Sequence, residues 1–269
     1  MNGRQSLDAI NRPVWAGSVR RFLWDGWADA GERVATQRVK TIATDKPILD
    51  LGVGCGRTLP LLRAISSDYT AIDYTPEMVA ACQRRFPGAK VLVADARDLS
   101  RFEDGAFALV SFSLNGIDAV DHEDRAKIVA EVFRVLQPGG AFQYSTHNEL
   151  GPGPKQRPWG LLSIDLRSPR DTARRVKQRC LGLRSGLRNY RRYKAITVNG
   201  DDWCIRVGEA HNFGIVIHFI TALGILRELA GAGFGADVEL YDESRGVRVQ
   251  PAADTSHIWY FNVVAFKPL

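Results

Sequence analysis

The chain has 269 residues, of which 45% are hydrophobic, and carries a formal net charge of +6. Its length and composition are typical of a globular protein with one large domain or two small ones. The longest apolar stretch, residues 215–226, contains a histidine and is shorter than the roughly 18 residues of a membrane span. We therefore expect a cytoplasmic protein without a membrane segment. Four cysteines without a C-x-x-C pair indicate neither a disulfide framework nor a metal site.

The positive charge is concentrated in one segment. Residues 151–194 hold 13 lysines and arginines against two acids, a net +11, while the rest of the chain holds 23 bases against 28 acids, a net −5. Such a segment can bind nucleic acid, a membrane surface or an acidic small molecule. The alternative is the solvated face of a helix in an arginine-rich protein.

The first half of the chain predicts helices followed by alternating strands and helices. Two helices are predicted around residues 14–27 and over 30–43, with a break near Asp25 and Gly26. The alternation that follows favours βαβ units and a parallel sheet. The predicted strands are residues 47–51, 69–73, 90–95, 107–113 and 141–147, and the helices between them are residues 58–65, 76–86 and 122–136.

After residue 149 the alternation stops. Residues 150–195 are rich in glycine, proline and arginine, and short strand-like pieces follow before a helix over 220–233 and strands over 236–241 and 257–266. Only a loop separates the last two strands, so the last is predicted to be antiparallel. The predicted domains are an N-terminal helical cap (1–46), a cofactor-binding core (47–149), a basic insertion or lid (150–215) and a C-terminal completion of the core sheet (216–269).

The run ILDLGVGCGRT, residues 48–58, predicts a strand, a glycine-rich turn and the start of a helix. This is a nucleotide-binding arrangement, because a turn without Cβ atoms lets a ligand approach the backbone and the helix N-terminus. The glycines are Gly52, Gly54 and Gly56, and Arg57 stands where a dinucleotide motif has its third glycine. Asp50 precedes them, where it can fix the loop and face a cationic ligand. The pattern favours a zwitterionic cofactor over a pyrophosphate.

With these residues the sequence resembles the class I S-adenosylmethionine-dependent methyltransferases, whose first motif is an acid followed by x-G-x-G-x-G. Further matches are Asp73 and Asp95, which end the second and third strands, and the turn at 134–140 with the sequence RVLQPGG. The resemblance covers residues 48–146. It implies an α/β, Rossmann-like, doubly wound sheet of seven mostly parallel strands with an antiparallel last strand, N-terminal helices and an inserted lid segment.

The resemblance also implies roles for individual residues. Asp73 would accept the ribose hydroxyls and Asp95 the adenine amino group, although each acid alone could be a turn former or a helix cap. Arg57 would pair with the methionyl carboxylate or be a surface arginine, and Met78 would pack on the adenosine or belong to the core. The predicted cofactor-binding set is Asp50, Gly52, Val53, Gly54, Gly56, Arg57, Asp73, Tyr74, Met78, Asp95, Ala96, Arg97, Ser113 and Leu114.

Candidates for catalysis and substrate binding follow from the rule that ligands lie beyond the carboxyl ends of parallel strands. His147, after the fifth strand, is the first candidate for a base or a hydrogen bond to substrate, and His211 in the insertion is the second. Either could instead be an ordinary polar residue. The predicted substrate-binding residues are Trp24, Trp27, Asn115 and Asn148, although helix packing is the simpler explanation of the tryptophans.

The predicted function is transfer of a methyl group from S-adenosylmethionine to nitrogen or oxygen of a small molecule, with S-adenosylhomocysteine as product. The alternative is an RNA (tRNA) methyltransferase that grips phosphates with the basic segment. That segment has only Trp159, Tyr190 and Tyr193 as aromatic residues, too few for a stacking platform, which favours the small molecule. A non-catalytic protein of the same fold is disfavoured by the intact glycine and aspartate set.

Overall fold

A computed structural model describes residues 6–23, 27–162 and 172–269. The strands are β1 (Ile48–Leu51), β2 (Tyr69–Asp73), β3 (Lys90–Val93), β4 (Phe107–Phe112), β5 (Leu136–His147), β6 (Val198–Asn199), β7 (Trp203–Gly208), β8 (Ile215–Ile220), β9 (Val238–Asp242) and β10 (Tyr260–Phe266). The helices are α1 (Leu7–Ala16), α2 (Ala30–Ala43), α3 (Leu59–Arg63), α4 (Pro76–Arg85), α5 (His122–Val135), α6 (Thr172–Tyr193), α7 (Ala210–Phe213) and α8 (Ala222–Gly231).

Seven strands form the central sheet in the order β3-β2-β1-β4-β5-β10-β9. The first five in this order are parallel to one another, whereas β10 is antiparallel to both β5 and β9. The predicted doubly wound sheet with an antiparallel last strand is thereby confirmed. Strand order reverses between β1 and β4, and a crevice outside the carboxyl ends of the strands at such a switch point is the usual ligand site.

Helices cover both faces of this sheet, which explains why β1, β2 and β4 are buried along their whole length. One face packs against α5 and α8 through residues such as Val132 and Leu229. The other packs against α2, α3 and α4 through residues such as Val39, Leu62 and Val79. The core therefore lies in two layers, and the ends of the strands remain to build a site.

The N-terminal segment differs from its prediction. Helix α1 begins after Ser6, whose side chain accepts a hydrogen bond from the Ala9 N–H, and it runs through Pro13 to Ala16. Residues 19–22 form a 3-10 turn, so the helix predicted around residues 14–27 is wrong. The prediction of a helix over residues 30–43 is confirmed by α2.

The insertion carries a second sheet of three antiparallel strands in the order β6-β7-β8. Its basic part contains the 22-residue helix α6, in agreement with the alternative that the basic segment is the solvated face of a helix. The predicted boundary between residues 215 and 216 falls inside β8, which belongs to this smaller sheet. Among the described residues, no helix is both long and apolar enough to cross a membrane.

Candidate active site

The three alternating glycines of the loop after β1 all have left-handed backbone conformations. Their φ angles are +61° at Gly52, +55° at Gly54 and +87° at Gly56. A residue with a Cβ adopts such angles only with strain, so the alternation follows from the path of the chain. The loop returns the backbone from the end of β1 to the start of α3 in a tight turn.

The space around these glycines differs from one to the next. A Cβ on Gly52 would lie 2.6 Å from the ring of Phe112, and a Cβ on Gly56 would lie 2.5 Å from the ring of Phe86. A Cβ on Gly54 would meet nothing within 4 Å. Gly52 and Gly56 are therefore required by the protein's own packing, whereas the face of the loop at Gly54 is open to a ligand.

Asp73, at the end of β2, is bonded to this loop. Its Oδ2 accepts a hydrogen bond of 2.9 Å from the backbone N–H of Gly54, and its Oδ1 accepts one of 2.8 Å from that of Thr75. Burial raises the pKa of Asp73, and these backbone donors oppose the rise. A carboxylate oxygen has two lone pairs, so both oxygens can accept a further hydrogen bond from a ligand hydroxyl.

Asp50 lies wholly buried beneath the glycine loop. Its Oδ2 accepts a hydrogen bond of 2.6 Å from the Thr58 hydroxyl, which ties the loop's two ends together, and one of 2.7 Å from the Tyr69 hydroxyl of β2. Its Oδ1 has no partner. Burial raises the pKa of Asp50 to about 6, although the two hydroxyl donors and Arg57 lower it.

Arg57 has a partner that the sequence did not suggest. Its guanidinium makes two hydrogen bonds of 2.7 Å to the carboxylate of Glu32 in α2, and a third of 3.0 Å to the hydroxyl of Ser113. It also donates to the backbone carbonyl of Trp27. Arg57 and Glu32 are both buried. The carboxylate that Arg57 faces therefore belongs to the protein, which replaces the predicted pairing with the methionyl group.

Asp95 and Arg97 form a hydrogen-bonded pair beyond the end of β3. The Arg97 side chain donates to both oxygens of Asp95, at 2.9 and 2.5 Å, and also reaches Asp124 at 2.8 Å and Asp8 of α1 at 3.4 Å. Burial raises the pKa of Asp95, but the hydrogen bonds and charge of Arg97 outweigh it and hold the pKa below its usual value. Arg97 thus connects α1 to the edge of the site, with half-buried Ala96 between it and Asp95.

The other predicted cofactor residues near the glycine loop and the end of β2 pack against neighbouring side chains. Val53 is buried, and buried Met78 contacts the thiol of Cys55 at 3.6 Å, in agreement with the alternative that Met78 belongs to the core. The guanidinium of Arg12 in α1 lies over the Tyr74 ring at 5.2 Å from its centroid. Helix α1 therefore lies beside the adenosine end of the predicted site.

The carboxyl ends of β4 and β5 meet at the centre of the site. Leu114 and Asn115 are both left-handed, with φ of 50° and 58°, and the Asn115 N–H donates to the Ser145 hydroxyl at 2.8 Å. Non-glycine residues in this conformation are uncommon, and consecutive ones mark a sharp turn. The turn presents the Asn115 side chain to His147, with 3.4 Å between Asn115 Nδ2 and His147 Nε2.

His147 contacts a buried carboxylate that sequence analysis missed. The Nδ1 atom of His147 lies 2.7 Å from Oδ2 of Asp118, and the same oxygen accepts the His147 backbone N–H, also at 2.7 Å. Asp118 lies in the loop after β4, and parallel β4 and β5 are neighbours. The sequence did hold a signal for this pair: Asp118 follows β4 and His147 ends β5, and neighbouring parallel strands end at the same edge of the sheet.

The second predicted base, His211, packs on the N-terminal segment, whose Trp15 and Phe22 also contact the cluster of Cys55 and Met78. Its ring packs against Trp15 and Phe22, with centroid distances of 5.0 and 6.1 Å, and its Nδ1 is 3.1 Å from the Ser18 hydroxyl. Burial, together with the charge of Arg21, lowers the pKa of His211 to about 4. A base this weak is poorly matched to neutral pH. The structure thus places His211 in the packing of the N-terminal segment, where its low pKa disfavours the predicted role of a base.

The predicted substrate-binding residues lie in different environments. Asn148 is fully buried, and its amide bonds to the backbone of Thr255, Ile258 and Leu150, so it anchors a loop instead of facing substrate. Trp27 is 47% exposed, and its ring lies 5.9 Å from the Arg57 guanidinium. Trp24 lies outside the described residues.

The N-terminal segment and the insertion together cover this edge of the sheet. Buried Asn11 of α1 donates to the carbonyls of Ala119 and Val216 and accepts from the Val216 N–H. It thereby connects the loop after β4 with β8 of the smaller sheet. Asn148, after β5, forms an isolated bridge with Ile220 at the end of β8.

Known proteins resemble this chain in sequence. A family model described as a methyltransferase domain matches residues 48–140. A probable phthiotriol/phenolphthiotriol dimycocerosates methyltransferase of Mycobacterium ulcerans is 30% identical over 183 residues, which are 59% of this chain and 67% of that protein. The chain belongs to the S-adenosylmethionine-dependent methyltransferase family. The demethylmenaquinone methyltransferase of Thermus thermophilus is 36% identical over 101 residues, 35% of this chain and 44% of that protein.

Solved structures share the fold of this methyltransferase-family chain. The 1,6-didemethyltoxoflavin-N1-methyltransferase of Burkholderia thailandensis matches with a TM-score of 0.58 and 14% identity, over 97% of this chain and 88% of that one. The chain spans less than half the length of the first curated relatives it matches, 44% and 42% of two mycobacterial methyltransferases.

The geometry fits the cofactor of this family. The face at Gly54 leaves room beside the backbone, the unpaired Oδ1 of Asp50 is suited to a cationic ligand, and Asp73 has acceptor capacity for a diol. Within the described residues, no group of three or more His, Cys, Asp or Glu could hold a metal ion.

Proposed function

We propose that this chain transfers the methyl group of S-adenosylmethionine to a nitrogen or oxygen atom of a small molecule. The observation that carries the proposal is the glycine loop, whose open face at Gly54 lies beside the buried carboxylate of Asp73. When bound, the cofactor supplies a methyl group activated by a positively charged sulfur. The chain's own task is then to align the acceptor and to exclude water.

In this proposal each acid serves one part of the cofactor. Asp73 accepts the two ribose hydroxyls, and Asp95 accepts the adenine amino group. Asp50 holds the loop and supplies negative charge beneath it. Ser113 and Leu114 line the approach to the methyl group, since they follow β4 at the switch point of the sheet.

Covering of the strand ends supports a small acceptor. Helix α1 and the β6-β7-β8 sheet lie over the loop after β4, and Asn11 ties them to it with three buried hydrogen bonds. A covered site of this kind suits a small molecule better than a polymer. The Burkholderia structure of the same fold holds 1,6-didemethyltoxoflavin, a small molecule, together with S-adenosylhomocysteine.

The alternative, an RNA acceptor, is favoured by the surface of α6. Arg184, Arg188, Arg191 and Arg192 are exposed on its described part, which gives a basic face. Bases of single-stranded RNA also need aromatic side chains for stacking. Tyr190, however, packs edge-on against Phe213, and Tyr193 packs in the same cluster, so of the three aromatic residues only exposed Trp159 offers a free stacking surface.

The test uses methyl-labelled S-adenosylmethionine with the purified chain and two acceptor preparations, a low-mass cell filtrate and total RNA. Label in the low-mass fraction supports the proposal, and label in RNA supports the alternative. Gly54→Ala should lower the labelling, because the new Cβ would contact the bound cofactor. Gly88→Ala, which alters a left-handed glycine with open space away from the loop, is its matched control. Failure of the wild type to label either preparation, when calorimetry shows that it binds the cofactor, would contradict methyl transfer.

A further inference from the structure

The carboxylate behind His147 is held by an unusually complete set of donors. Asp118 is fully buried. Its Oδ1 accepts from the Arg125 guanidinium at 2.5 Å and the Thr146 hydroxyl at 2.6 Å, and its Oδ2 accepts from the backbone N–H of His147 at 2.7 Å. Arg125 is also buried and pairs with Glu228 of α8 at 2.6 and 3.0 Å. Helices α5 and α8 thus fix the position of Asp118.

These donors determine which nitrogen of the His147 ring carries a hydrogen. A carboxyl group that accepts an arginine, a hydroxyl and a backbone N–H is an ionised carboxylate, which has acceptors only. The Nδ1 atom of His147, 2.7 Å from Oδ2 of Asp118, must therefore carry a hydrogen. In a neutral imidazole, the other nitrogen, Nε2, is then left with a free lone pair.

The group on the Nε2 side is the side-chain amide of Asn115, which has a donor nitrogen and an acceptor oxygen. Asn115 Nδ2 is 3.4 Å from Nε2, which is long for a hydrogen bond, and Asn115 Oδ1 is buried and has no partner. Turning the amide over would set its oxygen against the lone pair of Nε2. The two neighbouring acceptors are therefore His147 Nε2 and Asn115 Oδ1, of which Oδ1 is unsatisfied. Such a pair suits a ligand group that brings a hydrogen.

On the basis of the proposed function, we propose that His147 takes a proton from the methyl acceptor and that Asp118 is its positioning residue. The acceptor class is then a neutral hydroxyl or N–H group, which must lose a proton, and not an amine with a free lone pair. As the acceptor atom bonds to the methyl carbon, the carbon–sulfur bond breaks and leaves its electron pair on sulfur. The acceptor's proton moves to Nε2, so the positive charge passes from sulfur to the imidazolium beside Asp118.

The remaining neighbours of His147 leave Nε2 available. Phe219 of β8 and Tyr260 of β10 pack against the ring, with centroid distances of 5.4 and 6.2 Å. The Tyr260 hydroxyl donates to Asp29 at 2.8 Å and is therefore engaged elsewhere. The titratable and charged groups around the ring are Asp118 and Tyr260 in direct contact, Arg125 and Asp29 through one partner, and Glu228 through two.

The first test reads the ring itself and needs no acceptor. With ¹⁵N-labelled histidine, we expect the His147 resonances to show a hydrogen on Nδ1 and none on Nε2 at neutral pH. His147→Gln assigns the resonances by their loss, and exposed His257→Gln is the control. In Asp118→Asn, the new amide can donate to Nδ1, so the hydrogen is expected on Nε2. A wild-type ring with its hydrogen on Nε2 would overturn the proposal.

The second test measures label transfer from methyl-labelled S-adenosylmethionine to the low-mass filtrate as a function of pH. At neutral pH we expect His147→Gln to be slower by about 10²–10⁴-fold and Asp118→Asn by about 10²-fold, with cofactor affinity unchanged. The His147→Gln rate should recover as rising pH ionises the acceptor directly. If the His147→Gln rate is lower by the same factor at every pH, His147 has only a structural role, and the proton-transfer role is overturned. Wild-type protein that shows the expected ring but labels nothing overturns the proposed function and this role with it, while the ring geometry stands.

Discussion

Replacing Asp50 with asparagine is expected to stabilise the protein above about pH 6, although it alters a residue of the candidate site. The carboxylate is fully buried, with one oxygen unpaired, and burial raises its pKa from 3.8 to about 6. Between these two pH values the unfolded chain has lost the proton while the folded chain keeps it. The wild type therefore loses stability as pH rises from about 4 to about 6.

The size of the effect follows from the same shift. A pKa raised from 3.8 to about 6 corresponds to a cost of about 3 kcal/mol once the group is ionised. Asparagine avoids this cost and can still accept from Thr58 and Tyr69, but its amide hydrogens replace the unpaired oxygen and lack an acceptor, a penalty of about 1 kcal/mol. A net gain of about 2 kcal/mol is expected above pH 6.

Urea unfolding of Asp50→Asn and the wild type, at several pH values on both sides of this window, measures the difference. Asp45→Asn, at an exposed left-handed position that asparagine tolerates, controls for the substitution itself. The advantage of Asp50→Asn should grow between about pH 4 and about pH 6 and then level off. An advantage that is absent, or that does not change with pH, would refute the reasoning.

Three further predictions concern the loop and its supports. Gly54→Ala should weaken S-adenosylmethionine binding in calorimetry by about tenfold or more through contact with the ligand, whereas Gly88→Ala, also left-handed with open space, should leave binding unchanged. Asp73→Ala should abolish cofactor binding with an unchanged far-ultraviolet circular dichroism spectrum, and unchanged affinity would remove the ribose assignment. Glu32→Gln should lower the free energy of unfolding by about 3–5 kcal/mol, because it leaves buried Arg57 uncompensated, and a loss below 1 kcal/mol would contradict that.

The central sheet was predictable because its strands are short apolar runs bounded by turn residues. The strand 69–73 has the predicted bounds. The bounds of the other strands of the central sheet differ from prediction by at most three residues, except for β5, which begins five residues early. Gly52, Gly54 and Gly56 were recognisable for a related reason, since only glycine adopts left-handed angles without strain.

Local sequence signals misled where tertiary contacts decide. Helix α1 contains Pro13, which reads as a break, yet Asn11 fixes the helix onto Ala119 and Val216. In α1, packing against the rest of the chain outweighs helix propensity. Helix α6 was given no bounds, because the glycines and prolines around it interrupt the periodic pattern, although a helical face was one interpretation of its arginines.

The partners of individual site residues could not be predicted from spacing. Glu32 is 25 positions before Arg57, and only the packing of α2 against the sheet brings the two together. Asp118 and His147 are 29 positions apart and meet because β4 and β5 are parallel neighbours. The rule that ligands lie at strand ends was enough to select His147. Identifying the carboxylate behind it also required the order of the strands in the sheet.

A crystal structure of the chain with S-adenosylhomocysteine tests the central claim most directly. We predict that the nucleoside lies across the carboxyl ends of β1, β2 and β3, with its ribose hydroxyls on Asp73 and its chain against the backbone at Gly54. Density for the ligand at any other place, or none at a saturating concentration, would contradict the account.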